Sequence, residues 1–146
     1  MTIPLPFSGG CACGSIRYEC SAPPITSANC HCRDCQRASG SAFGAFLVVP
    51  AGGLRVTHGK PKFFRKLSDG GDPMLRGFCS ECGSPVLLRE EHRPKLEFIH
   101  AASLDDPSWY QPTMDIFTSS AQRWDVMSPA LDKHPRMPPI PESLGR

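Results

Sequence analysis

The spacing of the cysteines constrains this chain more than any other feature. Seven of its eight cysteines stand in short groups, Cys11-x-Cys13, Cys30-x-Cys32-x-x-Cys35 and Cys79-x-x-Cys82, and only Cys20 is alone. Closely spaced thiolates suit a soft tetrahedral ion, because at a zinc to sulfur distance of about 2.3 Å the sulfurs sit under about 4 Å apart. Side chains at i and i+2 of an extended strand share a face, and a tight turn brings the two ends of a C-x-x-C together. Gly14 follows Cys13 and Gly83 follows Cys82, where a turn needs backbone freedom and N–H groups to donate to sulfur. Disulfides are the competing use of eight cysteines. The opening MTIPLPFSGG has neither the cationic nor the long apolar part of a secretory signal, so we expect a cytoplasmic, reducing setting in which the thiols bind metal.

The grouping also divides the ligands. Cys30, Cys32 and Cys35 fall within six residues and can hardly avoid sharing one metal, which leaves Cys11, Cys13, Cys79 and Cys82 as a closed set. A zinc with four thiolates has no vacant position and acts as a staple between distant parts of a chain. A zinc with three keeps one position open, which is what separates a catalytic or ligand-binding site from a structural one. His31, His58, His100 and Cys20 are the residues that could close it instead. His31 stands between two ligands, so on an extended segment its ring points away from their metal, as a supporting or packing group. Cys20 reads as a small buried hydrophobe.

The remaining sequence reads as a mainly β chain. Its 13 Gly and 16 Pro favour turns and short elements. Alternation and turn signals predict strands near residues 15–20, 43–49, 54–58, 62–68, 74–78, 85–90, 95–101 and 114–118, with almost no helical periodicity. The strand from Phe43 is apolar on both faces and should be central. Residues 1–126 are expected to form one zinc-binding β domain, and residues 127–146, rich in proline, an extended tail packed on it or trailing from it. A net charge of +2 is too small for a chain devoted to nucleic acid. The apolar stretch from Ala42 to Leu54 is only 13 residues long where a bilayer needs about 20, so no membrane partner is expected either.

Three blocks carry a family likeness. Gly9-Gly10-Cys11-Ala12-Cys13-Gly14-Ser15-Ile16-Arg17-Tyr18 is the first; Cys30-His31-Cys32, Cys35-Gln36-Arg37, Ser39-Gly40-Ser41 and Phe43 make the second; Arg76, Phe78-Cys79 and Cys82-Gly83-Ser84-Pro85 make the third. Together they resemble the glutathione-dependent formaldehyde-activating enzyme family, strongly from about residue 9 to Leu88 and more weakly through Ala101 to Pro107 and on to Phe117. The resemblance implies a β-tent of small antiparallel sheets around zinc, a fold it shares with a guanine-nucleotide-exchange-like zinc protein and with centromere protein V. It also implies a structural zinc on Cys11, Cys13, Cys79 and Cys82 and a catalytic zinc on Cys30, Cys32 and Cys35, the same division that spacing suggests. Asp115 stands where the family pattern has His before Ile-Phe, and Ala102-Ser103 where Gly-Thr is common. These departures leave the zinc chemistry intact and the substrate open.

Two Zn²⁺ per chain are therefore the expected cofactors. A zinc bearing three thiolates has a net charge of −1 and is a weak Lewis acid, poorly suited to hydrolysis. It suits a fourth soft ligand, because an incoming thiol loses its proton on binding and becomes a nucleophile. The expected partners are thus a small thiol, glutathione or an analogue, and an aldehyde-type electrophile, the activity being that of a carbon-sulfur lyase resembling S-hydroxymethylglutathione synthase. Arg37, Ser39, Trp109 and Asp115 are the candidates for the substrate pocket, beside the other arginines Arg33, Arg65, Arg76 and Arg123 that could grip a carboxylate. The alternative is a noncatalytic zinc module that binds another protein or carries a thiol, although no long basic arm of the kind such modules use is present.

Overall fold

The computed structural model describes residues 2–144; Met1, Gly145 and Arg146, at the ends of the two expected regions, lie outside the described residues. Two sheets form the molecule. The smaller joins β1 (Phe7–Gly10), β2 (Arg17–Cys20) and β5 (Leu54–His58) in the order β1-β2-β5. The larger contains β3 (Thr26–Cys30), β4 (Gly44–Pro50), β6 (Lys62–Leu67), β7 (Pro73–Phe78), β8 (Pro85–Glu90), β9 (Leu96–His100), β10 (Met114–Ile116) and β11 (Asp132–Lys133). Its order is β11-β10-β3-β4-β9-β8-β7-β6. Pairing is antiparallel except that β10 runs parallel to both β3 and β11. The fold is mainly β, as the turn-rich sequence implies.

The expected strands appear within a residue or two. The sequence reading omits β1, β3, β11 and the one α-helix among the described residues, α1 (Arg33–Ser39). This helix begins at Cys32, whose sulfur accepts the Cys35 N–H at 3.3 Å, and ends at Gly40 in the left-handed conformation, φ 65°. Two turns are too short to display a helical period, so capping by a cysteine hides it from pattern reading.

Central β4 explains how one sheet serves two cores. Leu47 and Val49 pack into a cluster with Tyr18, Leu87, Ile99 and the thiols Cys11 and Cys79. Phe46, on the opposite face, packs with Leu88, Ile116 and the thiols Cys30 and Cys35. Strand alternation therefore sends the two cysteine groups to opposite sides of the large sheet. Leu47, Leu87 and Ile99 are each almost fully buried, and a side chain of that kind contributes roughly 1.5–3 kcal/mol by leaving water. Cys20, completely buried in the first core, has the apolar role expected of it.

Candidate metal centres

The first centre is built from two turns of similar design. Cys11 follows β1 directly, and its N–H donates to the Ile16 carbonyl while the Gly14 N–H returns to the Cys11 carbonyl at 3.2 Å. At the end of β7, the Gly83 N–H likewise donates to the Cys79 carbonyl at 2.8 Å. Gly14 and Gly83 have φ of 80° and 78°, a conformation in which any Cβ is strained. The N–H groups of Ile16 and Glu81 point at the sulfurs of Cys11 and Cys79, at 3.2 and 3.4 Å. The sulfurs of Cys11, Cys13, Cys79 and Cys82 all lie within 4.8 Å of one another, with Cys11 to Cys13 at 3.6 Å and Cys13 to Cys79 at 3.8 Å. Cys82, held by the Ser84 hydroxyl and backbone, has its thiol pulled down to about 5. Cys11 and Cys79 are buried and Cys13 and Cys82 exposed, so the group sits at the protein surface.

The second centre lies at the end of β3 and the start of α1. The sulfurs of Cys30, Cys32 and Cys35 also lie within 4.8 Å of one another, and among the described residues no His, Asp or Glu joins them. Their crowding sets their protonation. Hydrogen bonds from Cys30 and Cys35 hold the Cys32 thiol far below its ordinary range, while Cys30, donating to Cys32, is pushed far up. For Cys35 the contact with Cys30 acts downward, but the contact with Cys32 and burial outweigh it and raise the thiol to about 11. The three sulfurs thus compete for the protons they share. A soft dication resolves this conflict by replacing the shared protons, and the all-sulfur donor set fits such an ion at both centres. Arg76, on β7, directs both terminal nitrogens of its guanidinium at the Cys35 sulfur from 3.7 and 3.8 Å.

His31 turns away from the sulfurs, as its place between two cysteines requires. It is fully buried, with Nε2 2.8 Å from Asp115 Oδ1 and Nδ1 3.3 Å from Asp125 Oδ2. Lys133 Nζ approaches the other Asp115 oxygen at 3.0 Å. Burial would raise the Asp115 carboxyl, yet His31 and Lys133 outweigh it and hold the group below the usual range. Gln36 completes the clamp by donating to the His31 carbonyl at 2.6 Å and to the Ser120 carbonyl at 3.0 Å. The cysteine loop is thereby tied to β10, to the segment after it and to the strand in the tail.

Several pocket candidates lie elsewhere than expected. Asp115 is buried beneath His31 and not on a cavity wall, because strand alternation in β10 turns Met114 and Ile116 to the cavity side and Asp115 to the other. Trp109 packs in the first core, its ring 5.1 Å from that of Phe7. Arg37 is exposed in the last turn of α1. Ser39 donates to the Phe43 carbonyl at 2.9 Å and lines a separate open cleft beside Cys11. Of the residues that could have closed the second centre, His100 lines that same cleft, and burial, assisted by Arg76, pulls its imidazole down to about 4.

The cavity that the second centre does open on has a volume of about 320 Å³. Phe46, Met74, Leu88, Phe98, Ile116 and Phe117 form its apolar wall, and Arg76, Arg93, Asp34 and Glu90 are among its charged residues. Arg136 and Met137, from the proline-rich tail, also reach it. Sequence reading names Arg76 only as one arginine of several and misses the tail residues, since nothing local marks their return across the chain.

A family model described as "Glutathione-dependent formaldehyde-activating enzyme" matches residues 6–120, most of the chain and both cysteine groups. The chain belongs to this family. A Colletotrichum graminicola protein named "Putative glutathione-dependent formaldehyde-activating enzyme" is 30% identical over 78% of this chain and 63% of its own length. A Penicillium rubens protein of the same name is 30% identical over 86% of this chain and 80% of its own. The chain thus spans just under two thirds of the Colletotrichum relative. A crystal structure of a Rhodobacter sphaeroides protein superposes with a TM-score of 0.56 and 19% identity, covering 72% of this chain and 91% of that one, a likeness of fold. No helix among the described residues is long and apolar enough to cross a membrane.

Proposed function

We propose that this protein is a zinc-dependent carbon-sulfur lyase that joins a small thiol such as glutathione to an aldehyde and cleaves the adduct in reverse. The observation that carries the reading is a centre of three cysteines at the wall of a cavity, with no fourth ligand grouped with it among the described residues. Cys30, Cys32 and Cys35 would hold the catalytic zinc, and Cys11, Cys13, Cys79 and Cys82 a structural one. When bound, a zinc with an open position acidifies an incoming thiol and presents it as a thiolate. The reaction itself needs no oxidant. A sulfur-carbon bond forms as the carbonyl π bond breaks, its electron pair goes to oxygen, and the proton lost by the thiol ends on that oxygen.

The chain's own residues supply position and field. Arg76 offsets the negative charge that three thiolates leave in excess, and it stands where a carboxylate of the thiol or the developing oxyanion can be gripped. The apolar wall keeps water from the reacting carbon, and holding both reactants in one cavity supplies an entropic gain. A reducing compartment, expected to be the cytoplasm, keeps the thiols free for metal. Of the expected division into a zinc-binding β domain over 1–126 and a tail over 127–146, the described tail residues, 127–144, pack on the domain, a reading supported by β11 pairing with β10 and by Met137 at the cavity.

The deciding experiment is spectroscopic. In the cobalt-substituted protein, added glutathione should change the visible absorption by adding a thiolate at the second centre. No change with any small thiol overturns the lyase reading and leaves a noncatalytic zinc module.

A further inference from the structure

A one-carbon aldehyde has no use for hydrocarbon walls, yet the cavity at the second centre is apolar over most of its lining surface and has an apolar neighbour. A second cavity of about 300 Å³ shares Phe46, Phe98, Ile116 and Met137 with it as lining residues. Its further walls come from the large sheet through Ile25, Val48, Leu96 and Met114, and from the tail through Pro138–Pro141. Among the described residues, Thr26 is the only one lining this compartment with a polar side chain, so they offer almost nothing to a charged or hydroxylated group. The charged residues lie instead around the three-cysteine cavity: Arg76, Arg93 and Arg136 together with Asp34, Asp69, Asp72 and Glu90, the last paired with Arg93. The two halves therefore differ in chemistry: one offers charged groups of both signs to a polar thiol, the other suits a hydrocarbon chain.

We propose that the electrophile is an aldehyde carrying an aliphatic chain of several carbons, lodged between the large sheet and the proline-rich tail. The inference rests on the lyase reading and deepens it by naming the substrate class. Three of the four shared residues are held in the sheet, whereas Met137 comes from the tail, is 43% exposed, and has an unbranched side chain able to adapt to a chain lodged between the two linings. Prolines at 138, 139 and 141 stiffen the wall behind it without offering N–H donors to a polar chain.

With the zinc-loaded protein and glutathione held constant, kcat/KM should rise from formaldehyde through butanal to hexanal, by roughly two- to fourfold per added methylene. Met137→Lys, which retains both metals, should flatten that rise, and Val126→Lys, at a position 94% exposed and outside both cavities, should leave it unchanged. A flat series in the unaltered protein overturns the inference. A second measurement needs no catalysis: 1-hexanol, which has the chain but no electrophile, should shift the methyl NMR signals of Met114 and Met137. If hexanol shifts them but cobalt gives no thiol response, the lyase reading falls and the chain compartment stands. If cobalt responds to thiol and hexanol shifts neither methyl, the lyase reading stands and this inference falls.

Discussion

The two cysteine centres use the same ligand type, yet one is built on two glycine turns and the other on a strand end and a helix cap, and they face opposite sides of one sheet. The group of Cys11, Cys13, Cys79 and Cys82 has four sulfurs, two of them exposed, on turns whose N–H groups are already directed at sulfur. The group of Cys30, Cys32 and Cys35 has three, packed against a cavity and braced from behind by the buried His31 clamp. On the function proposed above, ligand count and the nature of the adjoining space, more than ligand identity, separate a staple from a site.

The largest effect should come from opening the staple. Cys11→Ser or Cys82→Ser removes one of four ligands from a site that joins residues 66 apart in sequence. Structural zinc binds with on the order of 10 kcal/mol, comparable with the whole stability of a domain. Loss of cooperative unfolding by circular dichroism, with loss of bound metal, is the expected outcome. A folded variant retaining both metals would erase the distinction between the centres.

Next in size is the brace of the second centre. Asp115→Ala leaves His31 beside Asp125 and strips Lys133 of a buried partner; breaking a buried pair typically costs about 3–5 kcal/mol. Urea unfolding should register that loss while the four-cysteine centre keeps its metal. Cys32→Ser should act less on stability and more on chemistry: one metal per chain is lost, thiol-dependent activity disappears and the fold remains. Unfolding as complete as that of the Cys11 variant would sink the idea of an open, functional centre.

Smaller still is Arg76→Gln, which removes the cation beside Cys35. Groups that support metal ligands in this way contribute about 10- to 100-fold in affinity, to be read by competition with a chelator, while the first centre is unaffected. The smallest effect is electrostatic and belongs to the open cleft beside Cys11, which Arg17 and Asp105 help to line. Arg17 Nη1 donates to Asp105 Oδ1 at 2.8 Å, and Arg17, with help from Ser8, holds the Asp105 carboxyl below its ordinary range. A lowered carboxyl stabilises the fold fully above the unfolded value near 4 and loses that contribution as pH falls through the folded value. Both side chains are over a third exposed, so Asp105→Asn should cost about 0.5 kcal/mol at neutral pH and less in acid.

Much of this architecture is legible in the chain before it folds. Gly and Pro punctuation locates most strands, and the two-sided apolar pattern from Phe43 to Val49 marks the central one. β3 escapes notice because Ser27 and Asn29 are buried polar residues in a strand; they are tolerated there because Ser27 donates to the Gln111 carbonyl at 2.6 Å and Asn29 accepts from Tyr110 at 3.1 Å. Those partners lie more than 80 residues away, beyond the reach of any local pattern. Asp115 and Trp109 mislead for the same reason: their polarity and ring suit a pocket wall, and only strand phase and core packing turn them elsewhere.

By itself, the sequence determined the division of seven thiols into four and three, because sulfurs a few residues apart cannot avoid meeting and glycine turns leave them room to do so. It also determined that His31 would face away from its neighbours, since adjacent residues of an extended chain alternate. Tertiary structure alone decided which space the three-cysteine group opens on. That space exists because Phe46, Leu88, Phe98 and Ile116 converge from four strands and a tail returns with Arg136 and Met137 to close it. Local chemistry sets what a metal can be held by; long-range packing sets what can reach it.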